Sequence, residues 1–145
     1  MTILRVTENA EPRAPRVLIV DDEESVRTLI ARMLGSAGYD VYMAADGPET
    51  LSIVEARGQF DVYLIDMTMP GMSGTELGRR LRLARPETRV LYCTGHSDRL
   101  FEEKTTLWQK EAFIDKPVSA RALREAVSMI LFGHTRGPGP KGQQA

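Results

Sequence analysis

Uninterrupted apolar runs alternate with longer amphipathic stretches along this chain. Four runs cover residues 17–20, 62–65, 90–93 and 112–114, and a fifth, short strand is predicted over 41–45. Strands that are apolar at consecutive positions, without in-out alternation, are typical of a parallel sheet that helices cover on both faces. The runs therefore predict a buried, parallel β-sheet of five strands.

The clearest predicted helix follows the first run. Its apolar residues recur at helical spacing on one predicted buried face, and Gly38 supplies a stop signal; the face consists of Val26, Leu29, Ile30, Met33 and Leu34. This pattern differs from that of the runs on either side, so strand and helix alternate here.

Later stretches repeat this helical pattern. Pro48 suits the first turn of a second helix that Gly58 ends, and Ser119 is the expected N-cap of the last helix. The remaining apolar positions that mark helices are Leu51 and Val54, Leu77 and Leu81, and Leu123, Val127, Ile130 and Leu131. Residues 97–110 are also predicted to be helical, with weaker amphipathicity.

Five strand-helix pairs predict an α/β fold with an open, doubly wound parallel sheet. Right-handed crossovers place helices on both faces, and ligands of such sheets lie at the carboxyl ends of the strands. The 145 residues suffice for one domain, predicted over 16–132. Residues 1–15 are expected to form a flexible arm, and the Gly- and Pro-rich residues 133–145 a flexible tail.

Composition excludes several classes of function. The net charge is -1, which gives no general attraction to nucleic acid or anionic lipid. No apolar stretch approaches the roughly 18 residues of a membrane span. A lone cysteine, Cys93, cannot form an internal disulfide and is expected in the core. We expect a cytoplasmic protein that binds neither nucleic acid nor membranes.

Polar residues that could carry chemistry follow the predicted strands. Asp21 and Asp22 come after the first run, Asp66 after the third strand, Thr94 after the fourth and Lys116 shortly after the fifth. Each residue alone has a structural explanation, such as a helix cap, a turn or a surface charge. Their common position at the carboxyl ends of parallel strands predicts that they meet in one site.

Three neighbouring aspartates disfavour one another's ionisation, and a divalent cation relieves that repulsion. Mg²⁺ suits oxygen ligands and exchanges its waters for phosphate oxygens. The set therefore predicts a metal-assisted phosphoryl acceptor, in which Asp66 is the nucleophile. Lys116 and Thr94 would contact the phosphoryl oxygens.

Four segments together resemble the receiver domain of two-component response regulators: Val20-Asp21-Asp22-Glu23, the segment from Asp66 to Gly74, Thr94-Gly95 and Lys116-Pro117. The resemblance covers roughly residues 16–132. It implies a flavodoxin-like sheet of strand order 2-1-3-4-5, with Asp66 as phosphoacceptor. It also implies a cis Lys116-Pro117 bond.

The resemblance assigns the remaining roles as well. Asp22, Asp66 and the main-chain carbonyl of Thr68 would bind Mg²⁺, and Asp21 would reach it mainly through water. Thr94 and Lys116 would hold the phosphoryl group. Phe113 occupies the place of a switch aromatic that turns inward when the threonine moves.

Receivers accept their phosphoryl group from a sensor histidine kinase or a histidine phosphotransfer protein. They have self-phosphorylation and autodephosphorylation chemistry only, so we expect no enzyme in the usual sense. Output is expected through a downstream protein or self-association, on the face of the fourth helix, the fifth strand and the fifth helix.

Two alternatives remain open. The chain is free-standing or a receiver cut from a hybrid histidine kinase, and Met1 with the polar tail favours the former. An aspartate-based phosphohydrolase of the haloacid-dehalogenase type is the rival from another class. Its nucleophile would come from the first strand, whereas Asp66 follows the acidic pair Asp21-Asp22.

Overall fold

Five parallel strands form one sheet in the computed structural model, which describes residues 13–95, 111–116 and 119–133. In chain order the strands are β1 (Arg16–Val20), β2 (Asp40–Ala44), β3 (Val62–Asp66), β4 (Val90–Thr94) and β5 (Glu111–Asp115). Their spatial order is β2-β1-β3-β4-β5. The parallel sheet and the strand order that the resemblance implies are thus confirmed.

Four helices connect or follow these strands in the described ranges: α1 (Glu24–Ser36), α2 (Gly47–Arg57), α3 (Gly74–Ala84) and α4 (Ala120–Phe132). None of them is long and apolar enough to cross a bilayer. The predicted helix at 97–110, the Lys116-Pro117 bond and most of the predicted arm and tail lie outside the described residues.

Alternate residues of the central strands pack into two separate apolar layers, one on each face of the sheet. Leu18, Tyr63 and Ile65 pack on one face with residues of α2 and α3. Their chain neighbours Ile19 and Leu64 pack on the other face with residues of α1 and α4. Because both faces are covered, β1 and β3 are buried almost throughout, and the predicted doubly wound architecture is confirmed.

Side chains cap three of the four described helices. The carboxylate of Asp46 accepts the Glu49 amide of α2, while the Ser73 and Ser119 hydroxyls accept amides in the first turns of α3 and α4. The predicted cap at Ser119 is confirmed, and Pro48 lies in the first turn of α2 as predicted. α1 follows Glu23, whose side chain makes no cap hydrogen bond.

Two local predictions were wrong. Leu29 was expected on the buried face of α1 but is 52% exposed, because the fully buried stripe of that helix is narrow and consists of Ile30 and Leu34. β2 begins and ends one residue earlier than predicted, since the Asp40 amide donates to the Pro15 carbonyl and starts the pairing with β1.

Candidate functional site

Three aspartates converge at the carboxyl edge of the sheet, because β1 and β3 are neighbours. Val20 is in register with Ile65, so the residues that follow them, Asp21 and Asp66, come side by side. With Asp22 they form a cluster in which one oxygen of each carboxylate lies within 4.8 Å of the others. Asp21 and Asp66 are buried, whereas Asp22 is exposed.

Two hydrogen bonds fix the buried carboxylate of Asp21. Its Oδ1 accepts the Glu23 amide at 2.9 Å, and its Oδ2 accepts the Lys116 ammonium at 2.9 Å. The Asp21 amide in turn donates to the Ala44 carbonyl of β2. Asp21 is therefore held both by main-chain hydrogen bonds and by the Lys116 ammonium.

Lys116 reaches this cluster from the end of β5. Its Nζ lies 2.9 Å from Asp21 Oδ2 and 3.5 Å from Asp66 Oδ2. Burial, the largest single influence, lowers the pKa of Lys116, but the hydrogen bond to Asp21 and the charges of both aspartates together raise it above its ordinary value. The side chain is thus a protonated cation between two carboxylates.

Asp66 is the last residue of β3, and its surroundings disfavour its charged form. Burial and the neighbouring charge of Asp21 raise the pKa of Asp66 to about 6, although the Lys116 ammonium and the Thr68 amide act in the opposite direction. The Thr68 amide donates to Asp66 Oδ1 at 3.2 Å. The carboxylate is poorly neutralised by the protein alone.

The donor set fits a hard divalent cation. It consists of oxygen atoms from three carboxylates, and its exposed member, Asp22, leaves one side open to solvent. Mg²⁺ usually binds one or two carboxylates directly and retains several waters, so two of these aspartates suffice as direct ligands while the third reaches the ion through water. The raised pKa of Asp66 points to the same need for additional positive charge.

A close turn sets the position of Asp66 relative to α3. Gly71 has a φ of 77°, and the Gly74 amide donates to the Met67 carbonyl at 3.0 Å. A Cβ on Gly74 would overlap the Asp66 carbonyl oxygen and lie 2.8 Å from the Met67 Cα. Glycine at position 74 therefore lets α3 begin directly against the main chain of Asp66.

The structure brings together four of the predicted site residues: Asp21, Asp22, Asp66 and Lys116. Thr68 lies beside them, exposed, with its amide bonded to Asp66.

Two further predicted residues lie on β4 and β5. Thr94 is the last residue of β4, in register with Asp115, and its backbone alone is described. Phe113 is partly buried, in register with Tyr92, and packs against the apolar layer that contains Tyr92.

Sequence reasoning missed Arg27. Its Nη1 donates to the main-chain carbonyl of Asp21 at 2.7 Å. The available signal was a cation in the first turn of α1, where the partial positive charge of the helix end disfavours it. Such a residue needs a compensating partner, and the carbonyl of Asp21 supplies one.

The sequence matches the family model of the response regulator receiver domain over residues 17–128. It is 36% identical over 116 residues to the sensor kinase CckA of Brucella abortus, a match that covers 79% of this chain and 12% of that protein. It is 32% identical over 117 residues to sporulation initiation phosphotransferase F of Bacillus subtilis, covering 80% of this chain and 93% of that protein.

Several curated relatives are longer than this chain. The matches with the sensory transduction proteins RegX3 of mycobacteria cover half of each of those proteins. Among solved structures, response regulator TrrA of Thermotoga maritima in complex with Mg²⁺ and BeF has a TM-score of 0.72 and 28% identity. That likeness covers 81% of this chain and 99% of TrrA.

Proposed function

The chain belongs to the response regulator receiver family of two-component systems, and we propose that it accepts a phosphoryl group on Asp66. The observation that carries the proposal is the position of this carboxylate, at the end of β3 beside both the acidic pair and Lys116. The order of the residues disfavours a phosphohydrolase of the haloacid-dehalogenase type, because Asp21 and Asp22 follow β1 and precede Asp66.

In the proposed transfer, a carboxylate oxygen of Asp66 attacks the phosphorus of a phosphohistidine. The P–N bond breaks, its electron pair stays on the imidazole nitrogen, and an acyl phosphate forms on Asp66. Lys116, 3.5 Å from Asp66 Oδ2, is placed to leave Asp21 for a phosphoryl oxygen. The Thr94 hydroxyl is proposed to donate to another phosphoryl oxygen.

Asp22, Asp66 and the main-chain carbonyl of Thr68 are proposed to hold Mg²⁺, with Asp21 acting mainly through water. When bound, the ion would offset the negative charge that develops on the phosphoryl oxygens. Two findings support this assignment: the cluster of carboxylate oxygens within 4.8 Å of one another and the raised pKa of Asp66.

The proposed phosphoryl donor is a sensor histidine kinase or a histidine phosphotransfer protein. The similarities to a sensor kinase and to a sporulation phosphotransferase support a place in a kinase-linked phosphorelay. The kinase match also supports the alternative setting, in which this receiver belongs to a hybrid histidine kinase. In either setting the domain acts as a signalling phosphoacceptor.

The proposed output is a protein contact that depends on phosphorylation, on the face of residues 97–110, β5 and α4. Phe113 supports this location, because it is only partly buried and lies in the middle of β5, three residues before Lys116. Rearrangement of Thr94 around a phosphoryl group would favour one packing of this aromatic over another.

Hydrogen exchange with and without a beryllofluoride mimic tests this output face. We expect changed protection across residues 97–118 in the Mg²⁺-bound protein. Changes confined to the loop after Asp66 would place the output elsewhere.

Chemical trapping tests the phosphoacceptor itself. After reaction with acetyl phosphate and Mg²⁺, borohydride reduction should convert the modified aspartate to homoserine, and peptide mass spectrometry should find homoserine at position 66. An acid-labile phosphoryl group on histidine, or homoserine at another position, would contradict the proposal.

A further inference from the structure

Arg27 occupies an unfavourable position in α1. It is the fourth residue of the helix, at the end of the first turn, and the helix dipole favours anions near this end. Glu24 satisfies that preference in the same turn, but Arg27 opposes it. A reason for this arginine must therefore come from what its guanidinium contacts.

That contact is the main-chain carbonyl of Asp21. Nη1 of the partly buried Arg27 donates to this oxygen at 2.7 Å, a short distance typical of a charged donor. Within the residues that the structure describes, no carboxylate forms an ion pair with Arg27. The arginine thus binds the backbone of the loop between β1 and α1, which carries Asp21 and Asp22.

The loop between β1 and α1 is held differently from the loops that precede α2, α3 and α4. α2, α3 and α4 each begin with a side-chain cap, whereas the side chain of Glu23 makes none at α1. The Asp21 carboxylate holds the Glu23 amide, and Arg27 holds the Asp21 carbonyl. The first bond occupies an amide at the start of α1, as a cap would, and the second ties the helix to the main chain of the loop before it.

Fixing the Asp21 carbonyl also fixes the start of Asp22. The carbonyl of one residue and the amide of the next lie in a single rigid plane, so the orientation of one sets that of the other. Asp21 and Asp66 each accept a main-chain amide and lie near Lys116. In the described ranges, the exposed Asp22 carboxylate forms no ion pair and accepts no main-chain amide; it lies against the Asp66 carboxylate, so the orientation of its backbone helps to set how it enters the cluster.

We propose that Arg27 is a positioning residue of the cation site: by holding the Asp21 carbonyl, it directs the Asp22 carboxylate toward the ion that Asp22 and Asp66 bind. The inference rests on the proposed function, because it assumes that Asp22 is a Mg²⁺ ligand. Arg27 itself contacts neither the ion nor the phosphoryl group.

The charge of Arg27 and its positioning role have opposite expected effects on Mg²⁺ affinity. If only its charge mattered, removing a cation that contacts the loop of Asp21 and Asp22 would strengthen Mg²⁺ binding. If positioning dominates, replacing Arg27 by uncharged Met weakens binding, roughly tenfold for the loss of one charge-assisted hydrogen bond. Arg27→Lys retains the charge and part of the donor capacity, so it should fall between Met and the wild type.

Calorimetric titration with MgCl₂ alone measures these affinities without requiring phosphorylation. The variants are Arg27→Met, Arg27→Lys and, as a matched control, Arg32→Met, which removes an exposed cation from the same helix. Circular dichroism at the titration temperature establishes that each variant is folded. We expect weaker binding in Arg27→Met, partial recovery in Arg27→Lys and no change in Arg32→Met.

Equal or tighter Mg²⁺ binding by Arg27→Met would overturn the inference and leave the proposed function standing. If Arg27→Met does not fold, the Mg²⁺ affinity of Arg27→Lys tests the inference instead. An affinity equal to that of the wild type would then overturn it. A wild-type protein that binds no Mg²⁺ would overturn the proposed cation site and the inference together.

Discussion

Lys116 donates its shortest hydrogen bond to Asp21, a residue 95 positions earlier in the chain, and not to Asp66. The Nζ–Oδ2 distances are 2.9 Å to Asp21 and 3.5 Å to Asp66. The ammonium therefore offsets part of the negative charge of the acidic cluster. A Mg²⁺ ion bound at this cluster would compete with Lys116 for the same negative charge.

Replacing Lys116 by Met should change Mg²⁺ affinity and the rate of phosphorylation in opposite directions. We expect Mg²⁺ affinity to rise roughly three- to tenfold, because a competing charge is removed, while the rate of phosphorylation falls. Titration calorimetry and phosphorylation kinetics measure the two effects. Arg121→Met is a suitable control, since Arg121 is an exposed cation on α4 paired with Glu125. Weaker Mg²⁺ binding in Lys116→Met would show that the ammonium supports the cation site.

Asp66 should make the stability of the metal-free protein depend on pH. Its pKa is raised from near 4 to about 6, chiefly by burial, so the folded protein binds a proton in this range that the unfolded chain has lost. The stabilisation from protonated Asp66 is therefore complete at about pH 4 and is lost as the pH rises through 6. The difference amounts to about 2–3 kcal/mol.

Urea unfolding in EDTA, from about pH 4 to 7, measures this dependence against Asp66→Asn. Asn cannot ionise, so its free energy of unfolding should rise relative to that of the wild type as the pH increases. Curves that stay parallel over this range would show that the pKa of Asp66 is not raised in the metal-free protein.

A pair of Gly→Ala substitutions should give opposite changes in stability. A Cβ on Gly74 would overlap the Asp66 carbonyl, so Gly74→Ala should destabilise the fold by about 1–3 kcal/mol and weaken Mg²⁺ binding. Gly35 lies in α1, and a Cβ added there would meet no other atom within 4 Å, so Gly35→Ala should stabilise the protein by up to about 1 kcal/mol. Denaturant unfolding measures the stability of both variants. A Gly74→Ala protein as stable as the wild type would mean that α3 can move away from β3.

Cys93 should be inert toward thiol reagents in the folded protein. It is buried in β4, in register with Asp66, and burial raises the pKa of its thiol to about 12 despite the opposing charge of Lys116. The reactive thiolate is therefore almost absent at neutral pH. Iodoacetamide should label the protein only in denaturant, as read by mass; rapid labelling under native conditions would contradict the described burial.

The sequence predicted the parts of the site that follow from strand order. Asp21, Asp22 and Asp66 meet because the ends of parallel neighbours share one edge of the sheet, a consequence of β1 lying beside β3. The pairing of Lys116 with Asp21 was not predictable in this way. It depends on how far one side chain reaches across β4 and β3, which no periodicity records.

Local packing accounts for the other differences. Leu29 fits the helical period, but the sheet covers only a narrow stripe of α1, so one flank of the helix stays exposed. Arg27 was missed because a cation near a helix start is a weak signal, and because its partner is a main-chain carbonyl, which the residue pattern does not identify. Both features depend on contacts between elements and not on the propensity of one segment.

Intact mass after incubation with acetyl phosphate and Mg²⁺ tests most directly whether Asp66 is the phosphoacceptor. The wild type and Asp115→Asn should each gain one phosphoryl group, because Asp115 is an exposed aspartate that ends β5 at the same edge of the sheet but lies outside the carboxylate cluster. Asp66→Asn should gain none. Full phosphorylation of Asp66→Asn would contradict the account. So would a loss of phosphorylation in Asp115→Asn while Asp66→Asn is still phosphorylated.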